Sequence, residues 1–190
     1  MLTTIAEEIM KDVSHWVGHY ENILDEAGCK SIMNYPWSWQ PSTYSNDAGV
    51  VEKSDERVRM DECWCVEENR PYPLLKKSVI EVMNIYAQEH ERFSCIHHTD
   101  FRLNKYGVSG FMSSHVDNIH HSHGQSYGYP QCSVLLFLND DYEGGEFIVA
   151  NKKYETKRGS AIIFPSNFMF PHEVKEVIKG ERWSVVSWLM

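Results

Sequence analysis

The sequence has no apolar run approaching the roughly 20 residues that span a bilayer. Its first 13 residues carry Glu7, Glu8, Lys11 and Asp12 and lack the apolar stretch of a signal peptide. Membrane and secretory classes are therefore not expected. It also lacks a basic run: 18 Lys and Arg face 27 Asp and Glu, a net charge of −9. Nucleic-acid binding needs a positive field that displaces counterions from phosphates, so no nucleic-acid partner is expected. Zinc-ribbon spacing is missing among the five cysteines, Cys29, Cys63, Cys65, Cys95 and Cys132. An odd set without such spacing reads as reduced thiols in a cytoplasmic protein. Repeats, low-complexity tracts and an interdomain linker are absent as well, so the 190 residues read as one domain.

What is present is ordinary globular composition, with aromatics at 13%. That enrichment fits a β-rich core or a lined cavity. Thr4-Ile-Ala-Glu7 has capping-box spacing and predicts a short helix there. His15–Tyr20 reads as a strand, Asp25 as the cap of a helix through about Tyr35, and Pro36–Ser54 as a long loop. From Arg57 to Val66 alternation puts Val58, Met60, Trp64 and Val66 on one face, interrupted by Glu62, which predicts a strand. Leu75, Val79, Val82, Met83 and Tyr86 recur at helical spacing, so an amphipathic helix is expected from about Leu74 to His90, with Pro73 at its start. Short β-like runs follow: Cys132–Leu138, Glu146–Ala150, Ser160–Phe164 and Arg182–Leu189, separated by glycine turns. Helices first and strands afterwards predict a mainly β fold with flanking helices packed on one side.

His115-Val116-Asp117 is the first chemical signal. In a strand, side chains two apart share a face, so this pair can converge on one ion. Alone the motif is weak. His172 in Pro171-His-Glu-Val174 supplies a third ligand type, and Arg182 opens the last apolar run. Two histidines and one carboxylate on one face of a metal are the pattern of non-haem Fe(II) sites and leave three positions open. A keto acid can chelate through two of them and O2 can use the third. The far carboxylate of the keto acid then needs a buried cation, and arginine offers a planar, always-charged fork. Arg182, Ser184, Val186 and Trp188 share one face by alternation, so Arg182 and Ser184 can present a guanidinium and a hydroxyl to the same carboxylate.

The segment from Arg102 to Leu189 resembles the catalytic core of the prolyl 4-hydroxylase-like branch of the 2-oxoglutarate/Fe(II) dioxygenases. The resemblance is carried by Lys105-Tyr-Gly-Val-Ser-Gly110 leading to His115-Val-Asp-Asn118, by Asn139-Asp-Asp-Tyr-Glu-Gly-Gly-Glu-Phe147, by Arg158-Gly-Ser-Ala-Ile-Ile-Phe164, and by Pro171-His-Glu-Val174. It implies a double-stranded β-helix (jelly-roll) barrel, with a catalytic core at about 99–190 supported by about 1–98. It implies iron held by His115, Asp117 and His172, 2-oxoglutarate held by Arg182, Tyr106 and Ser184, O2 as co-substrate and ascorbate as reductant. Some relatives carry a Tyr for the far carboxylate where this chain has Phe137, and Ser184 is the replacement this reading offers. By family analogy the expected reaction is hydroxylation of peptidyl proline, with 2-oxoglutarate converted to succinate. Hydroxylation of a free amino acid or small metabolite, a non-catalytic jelly-roll binding module, and a cupin-type metalloenzyme remain alternatives. His120, His121 and His123 read as a solvated loop near the site mouth. Trp37 and Trp39 either line a substrate groove or cover a core edge. Asn118–Pro130 is expected to act as a lid bringing Tyr127 or Tyr129 to the substrate.

Overall fold

The computed structural model describes residues 13–45, 51–52, 56–118 and 129–190. The helix expected at Thr4–Glu7 and most of the expected lid lie outside them. Asp25 caps the first helix, α1 (Glu26–Met33), by accepting a hydrogen bond from the Gly28 N–H at 2.7 Å. The second helix, α2 (Tyr72–Glu89), carries Pro73 in its first turn, where a missing N–H costs nothing. Leu75, Val79, Val82 and Tyr86 form its buried stripe.

The strands are β1 (Gly18–Tyr20), β2 (Gln40–Pro41), β3 (Tyr44–Ser45), β4 (Val51–Glu52), β5 (Val58–Arg59), β6 (Asp61–Cys65), β7 (Phe101–Tyr106), β8 (Phe111–His115), β9 (Cys132–Phe137), β10 (Glu143–Gly144), β11 (Phe147–Val149), β12 (Lys152–Tyr154), β13 (Ala161–Pro165), β14 (His172–Val174), β15 (Val177–Lys179) and β16 (Arg182–Leu189). Seven of them form one sheet in the order β1-β13-β9-β16-β7-β6-β2, and five form another in the order β12-β11-β14-β8-β5. Two further ribbons pair β10 with β15 and β3 with β4.

Two apolar clusters hold these layers together. One joins both helices to the outer face of the larger sheet through Ile32, Leu75, Val82, Leu103, Leu136 and Val185. The other fills the space between the sheets with Tyr106, Phe137, Phe147, Phe164, Val186 and Trp188. The central strands are thus covered on both faces, which is why β9 and β16 are buried at every residue and read as continuous runs. Alternation then assigns the faces: Trp183, Val185 and Leu189 meet the helices, while Val186 and Trp188 face the second sheet.

The mainly β class with helices on one side holds. No strand of the larger sheet pairs with one of the smaller among the described residues, so the layers face each other without a closed barrel. Four local expectations also change. The strand expected at His15–Tyr20 is confined to Gly18–Tyr20, after a 3-10 turn at Val13–Trp16. The expected loop after Pro36 contains β2, which pairs with β6, and the β3–β4 ribbon. The expected strand Arg57–Val66 breaks at Met60, with β5 joining the smaller sheet and β6 the larger. Within β6, Trp64 is 40% exposed while Glu62 is buried, the reverse of the expected pattern. All five cysteines are free and buried. Among the described residues no helix is long and apolar enough to cross a membrane.

Candidate metal centre

His115 ends β8 and His172 begins β14, and the two residues are direct partners across that antiparallel ladder. Their ring centroids lie 4.2 Å apart. Asp117 sits just beyond the end of β8, where the chain has already turned and the Asn118 N–H donates to the Ser166 carbonyl at 3.0 Å. The expected His–Asp pair on one strand face is therefore made by a strand end and a turn.

One ligand atom from each of the three side chains lies within 4.8 Å of the others. The Asp117 carboxylate meets His115 Nε2 at 3.5 Å through Oδ1 and His172 Nε2 at 3.6 Å through Oδ2. Each histidine turns Nδ1 toward a backbone carbonyl, that of Ser113 at 2.9 Å and that of Phe170 at 3.3 Å. With the ring proton on Nδ1, given to these carbonyls, each histidine would turn an Nε2 lone pair toward the carboxylate, the tautomer a metal requires. Ser133 donates to Asp117 Oδ2 at 2.5 Å and is itself 2.8 Å from the Ser166 hydroxyl.

The electrostatics agree with this arrangement. Burial works to raise the Asp117 carboxyl, but His172, His115 and the Ser133 hydroxyl outweigh it and hold the group well below the usual carboxylate range. Burial, reinforced by the neighbouring His115, pushes His172 down to about 4. At neutral pH the site thus holds an ionised carboxylate beside a neutral imidazole. Two imidazoles and one carboxylate with open positions suit Fe(II).

Arg182 begins β16 and is fully buried. Its Nη1 donates to Ser184 Oγ at 3.1 Å. Its Nε and Nη2 are buried with no hydrogen-bond partner. Three rings surround the guanidinium: Tyr106 at 5.2 Å, Phe137 at 5.4 Å and Phe147 at 5.9 Å. Cation–π contacts offset part of the cost of burying the charge. The idle donors match what a carboxylate takes from an arginine fork. Gly145, at φ +63°, lets the arginine stem pass: a Cβ there would lie 3.0 Å from Arg182 Cδ. Tyr106 is the register partner of Arg182, and its hydroxyl has only the Met112 sulfur at 3.9 Å as a weak contact. Burial pushes that hydroxyl's pKa up and keeps it a donor. Ser184 stands opposite Phe137 in the ladder. All six residues singled out in the sequence are therefore brought to one region between the sheets.

Sequence reasoning missed Arg102, Asn104 and Ser133. Arg102 and Asn104 line the same cleft as the three metal-ligand candidates. Trp37 and Trp39 pack against the helix-side core, which is the core-edge reading of the two. His120, His121, His123 and Tyr127 lie outside the described residues; Tyr129 is 51% exposed.

Residues 101–190 match the family model of the 2OG-Fe(II) oxygenase superfamily. A PKHD-type hydroxylase of Rippkaea orientalis is 36% identical over 157 residues, which cover 80% of this chain and 63% of that protein. Human prolyl 3-hydroxylase 2 is 41% identical over 70 residues, 33% of this chain and 10% of that protein. The chain thus spans less than two thirds of these relatives. Among solved structures, a Pseudomonas putida prolyl-4-hydroxylase superposes with a TM-score of 0.68 at 14% identity, over 100% of this chain and 98% of its own. A Trichoplax adhaerens prolyl hydroxylase, solved with a hypoxia inducible factor peptide fragment, gives 0.67 at 16% identity, over 100% and 92%. The fold, the triad and the sequence match agree: residues 101–190 carry the match to the 2OG-Fe(II) oxygenase superfamily, and the fold is similar to that of prolyl hydroxylases.

Proposed function

We propose that this protein is an Fe(II)- and 2-oxoglutarate-dependent hydroxylase, with peptidyl proline as its first substrate class and a free amino acid or small metabolite as the second. The observation that carries this reading is the pairing of the triad with Arg182, a fully buried cation whose Nε and Nη2 have no protein partner. A retired site has no reason to keep an uncompensated buried charge, which costs several kcal/mol in order of magnitude. This weighs against a non-catalytic binding module. The proline assignment rests on the names of the relatives alone.

His115, Asp117 and His172 would hold the iron. Arg182, with Ser184 and Tyr106, would hold the 2-oxoglutarate. The oxidation itself, in which O2 and 2-oxoglutarate would yield succinate, CO2 and a hydroxylated carbon, is the chemistry of Fe(II) and its co-substrates, with ascorbate keeping the iron ferrous outside the balanced reaction. The chain's own residues do the positioning. Ser133 fixes the carboxylate plane of Asp117, the Ser113 and Phe170 carbonyls fix the imidazole tautomers, and Phe137, Phe147 and Tyr106 keep water from the guanidinium. The two facing sheets would be the halves of a double-stranded β-helix, and residues 1–98 would brace the catalytic part, 99–190, within a single domain. The unpaired cysteines accord with a cytoplasmic setting.

The test is a coupled assay with Fe(II), 2-oxoglutarate and ascorbate, reading succinate and the mass of candidate proline peptides and amino acids. Succinate formed in step with a gain of one oxygen on the substrate is expected. No metal-dependent succinate under any of these conditions would contradict the reading.

A further inference from the structure

Along β7 and β16 the inward face is a grid of two columns. Tyr106, Asn104 and Arg102 stand opposite Arg182, Ser184 and Val186, and Trp188 follows. Four residues of extended chain place the Arg102 position about 13 Å along the strand from that of Tyr106. The inward face of this strand pair therefore has two cationic ends. Arg182 and Tyr106 form the one already allotted to the keto acid. Nothing in that allotment uses the other.

Arg102 at the second end is nearly buried: its side chain is 12% exposed. The guanidinium lies over the Trp188 ring at 4.9 Å. It meets Glu62 at 3.6 Å, beyond hydrogen-bonding distance. Its Nε is buried without a partner. Glu62 is held from the other side by the Ser42 hydroxyl at 2.7 Å. Next to Arg102 on the inward face, Asn104 is also buried, with Oδ1 unpartnered. A stacked, oriented guanidinium with an idle Nε donor, lining the cleft that holds the triad, is built to receive a planar anion.

We propose that Arg102 is a specificity-determining residue that binds a carboxylate carried by the molecule whose C–H bond is oxidised. This rests on the proposed function, since it assigns the second end of that inward face to that substrate. The carboxylate is a chain terminus or an acidic side chain beside the reacting residue. The neutral outcome is a structural Arg102–Glu62 pair with no part in recognition.

The experiment uses the Mn(II)-loaded protein with N-oxalylglycine, an unreactive keto-acid mimic, and measures binding of two matched probe pairs. N-acetylproline against N-acetylprolinamide tests a terminal carboxylate. N-acetyl-prolyl-glutamate amide against its glutamine counterpart tests a side-chain carboxylate. In at least one pair the acid should bind roughly tenfold more tightly or better, as a charge-assisted hydrogen bond gives. Arg102→Met should erase that preference, Arg102→Lys should keep part of it, and N-oxalylglycine affinity should stay unchanged in both. Because Arg102→Met strands the Glu62 carboxylate, Glu62→Gln/Arg102→Met is measured beside it, with the same expected loss. No acid preference in either pair, whether both members bind alike or neither binds, overturns the assignment, as does a preference that survives in both methionine variants. Failure of the unaltered protein to bind N-oxalylglycine counts against the hydroxylase function itself, and the role of Arg102 falls with it.

Discussion

His172 stands directly opposite His115 in the β8–β14 ladder, so one pair of neighbouring strands delivers two of the three candidate iron ligands. The ladder holds both imidazoles before any metal arrives, and Asp117 completes the set from the turn. His115→Ala, Asp117→Ala and His172→Ala should each abolish metal-dependent 2-oxoglutarate turnover and leave the circular dichroism spectrum unchanged. Near-normal turnover in any one of them would mean that its residue is not a ligand.

Ser133→Ala tests the support behind the carboxylate. Its hydroxyl donates to Asp117 at 2.5 Å, and losing a group that orients a metal ligand costs about 10–100-fold in metal affinity. Competition of Fe(II) or Co(II) binding against a chelator measures this. An unchanged metal constant would show that the Asp117 carboxylate needs no such hold.

Arg182 separates binding from folding. Replacing a buried, uncompensated charge with an apolar isostere is often neutral or stabilising, so Arg182→Met should melt no lower than the parent protein without ligand. The same variant should lose about two to four orders of magnitude in 2-oxoglutarate affinity, about 3–5 kcal/mol. Arg182→Lys should fall between them, because the charge stays and the fork is lost. Ser184→Ala should cost about 0.5–1.5 kcal/mol, the worth of one hydrogen bond. Unchanged keto-acid affinity in Arg182→Met would remove its role.

Acid should weaken the metal-free protein in a defined window. The folded state holds His172 down at about 4, against an ordinary 6.5, so the unfolded chain binds the extra proton between those values. The contribution of His172 is then constant above pH 6.5, falls as pH drops toward 4 by about 3 kcal/mol, and levels off below. Asp117 acts further into acid: its pKa is depressed, so its contribution is present above its ordinary 3.8 and is lost only as pH falls through the lower folded value. Denaturant melts at pH 7 and pH 4.5 measure the slope, and His172→Gln should flatten it. An equal slope in both proteins would place the titration elsewhere.

The sequence made the metal set legible because its signals are local: a ligand pair two residues apart, a histidine opening a strand, and an arginine at the head of an alternating run. Arg182, Ser184, Val186 and Trp188 do share a face, since alternation survives whatever the strand pairs with. Arg102 and Asn104 stayed hidden because a polar residue on an inward strand face looks like one facing solvent until the second sheet is known. Ser133 was masked within an apolar run. The break at Met60 was invisible because β5 and β6 keep the same extended texture while their partners lie in different sheets. Sheet separation is likewise a matter of distant pairing, which spacing does not encode.

Anaerobic calorimetric titration of 2-oxoglutarate tests the central claim most directly. The Fe(II)-loaded protein should bind one equivalent per chain. That binding should disappear when the metal is withheld or His172 is replaced by Ala, and should weaken by at least 100-fold in Arg182→Met. Binding that is equally tight without metal, or no binding to the loaded protein, would contradict the account.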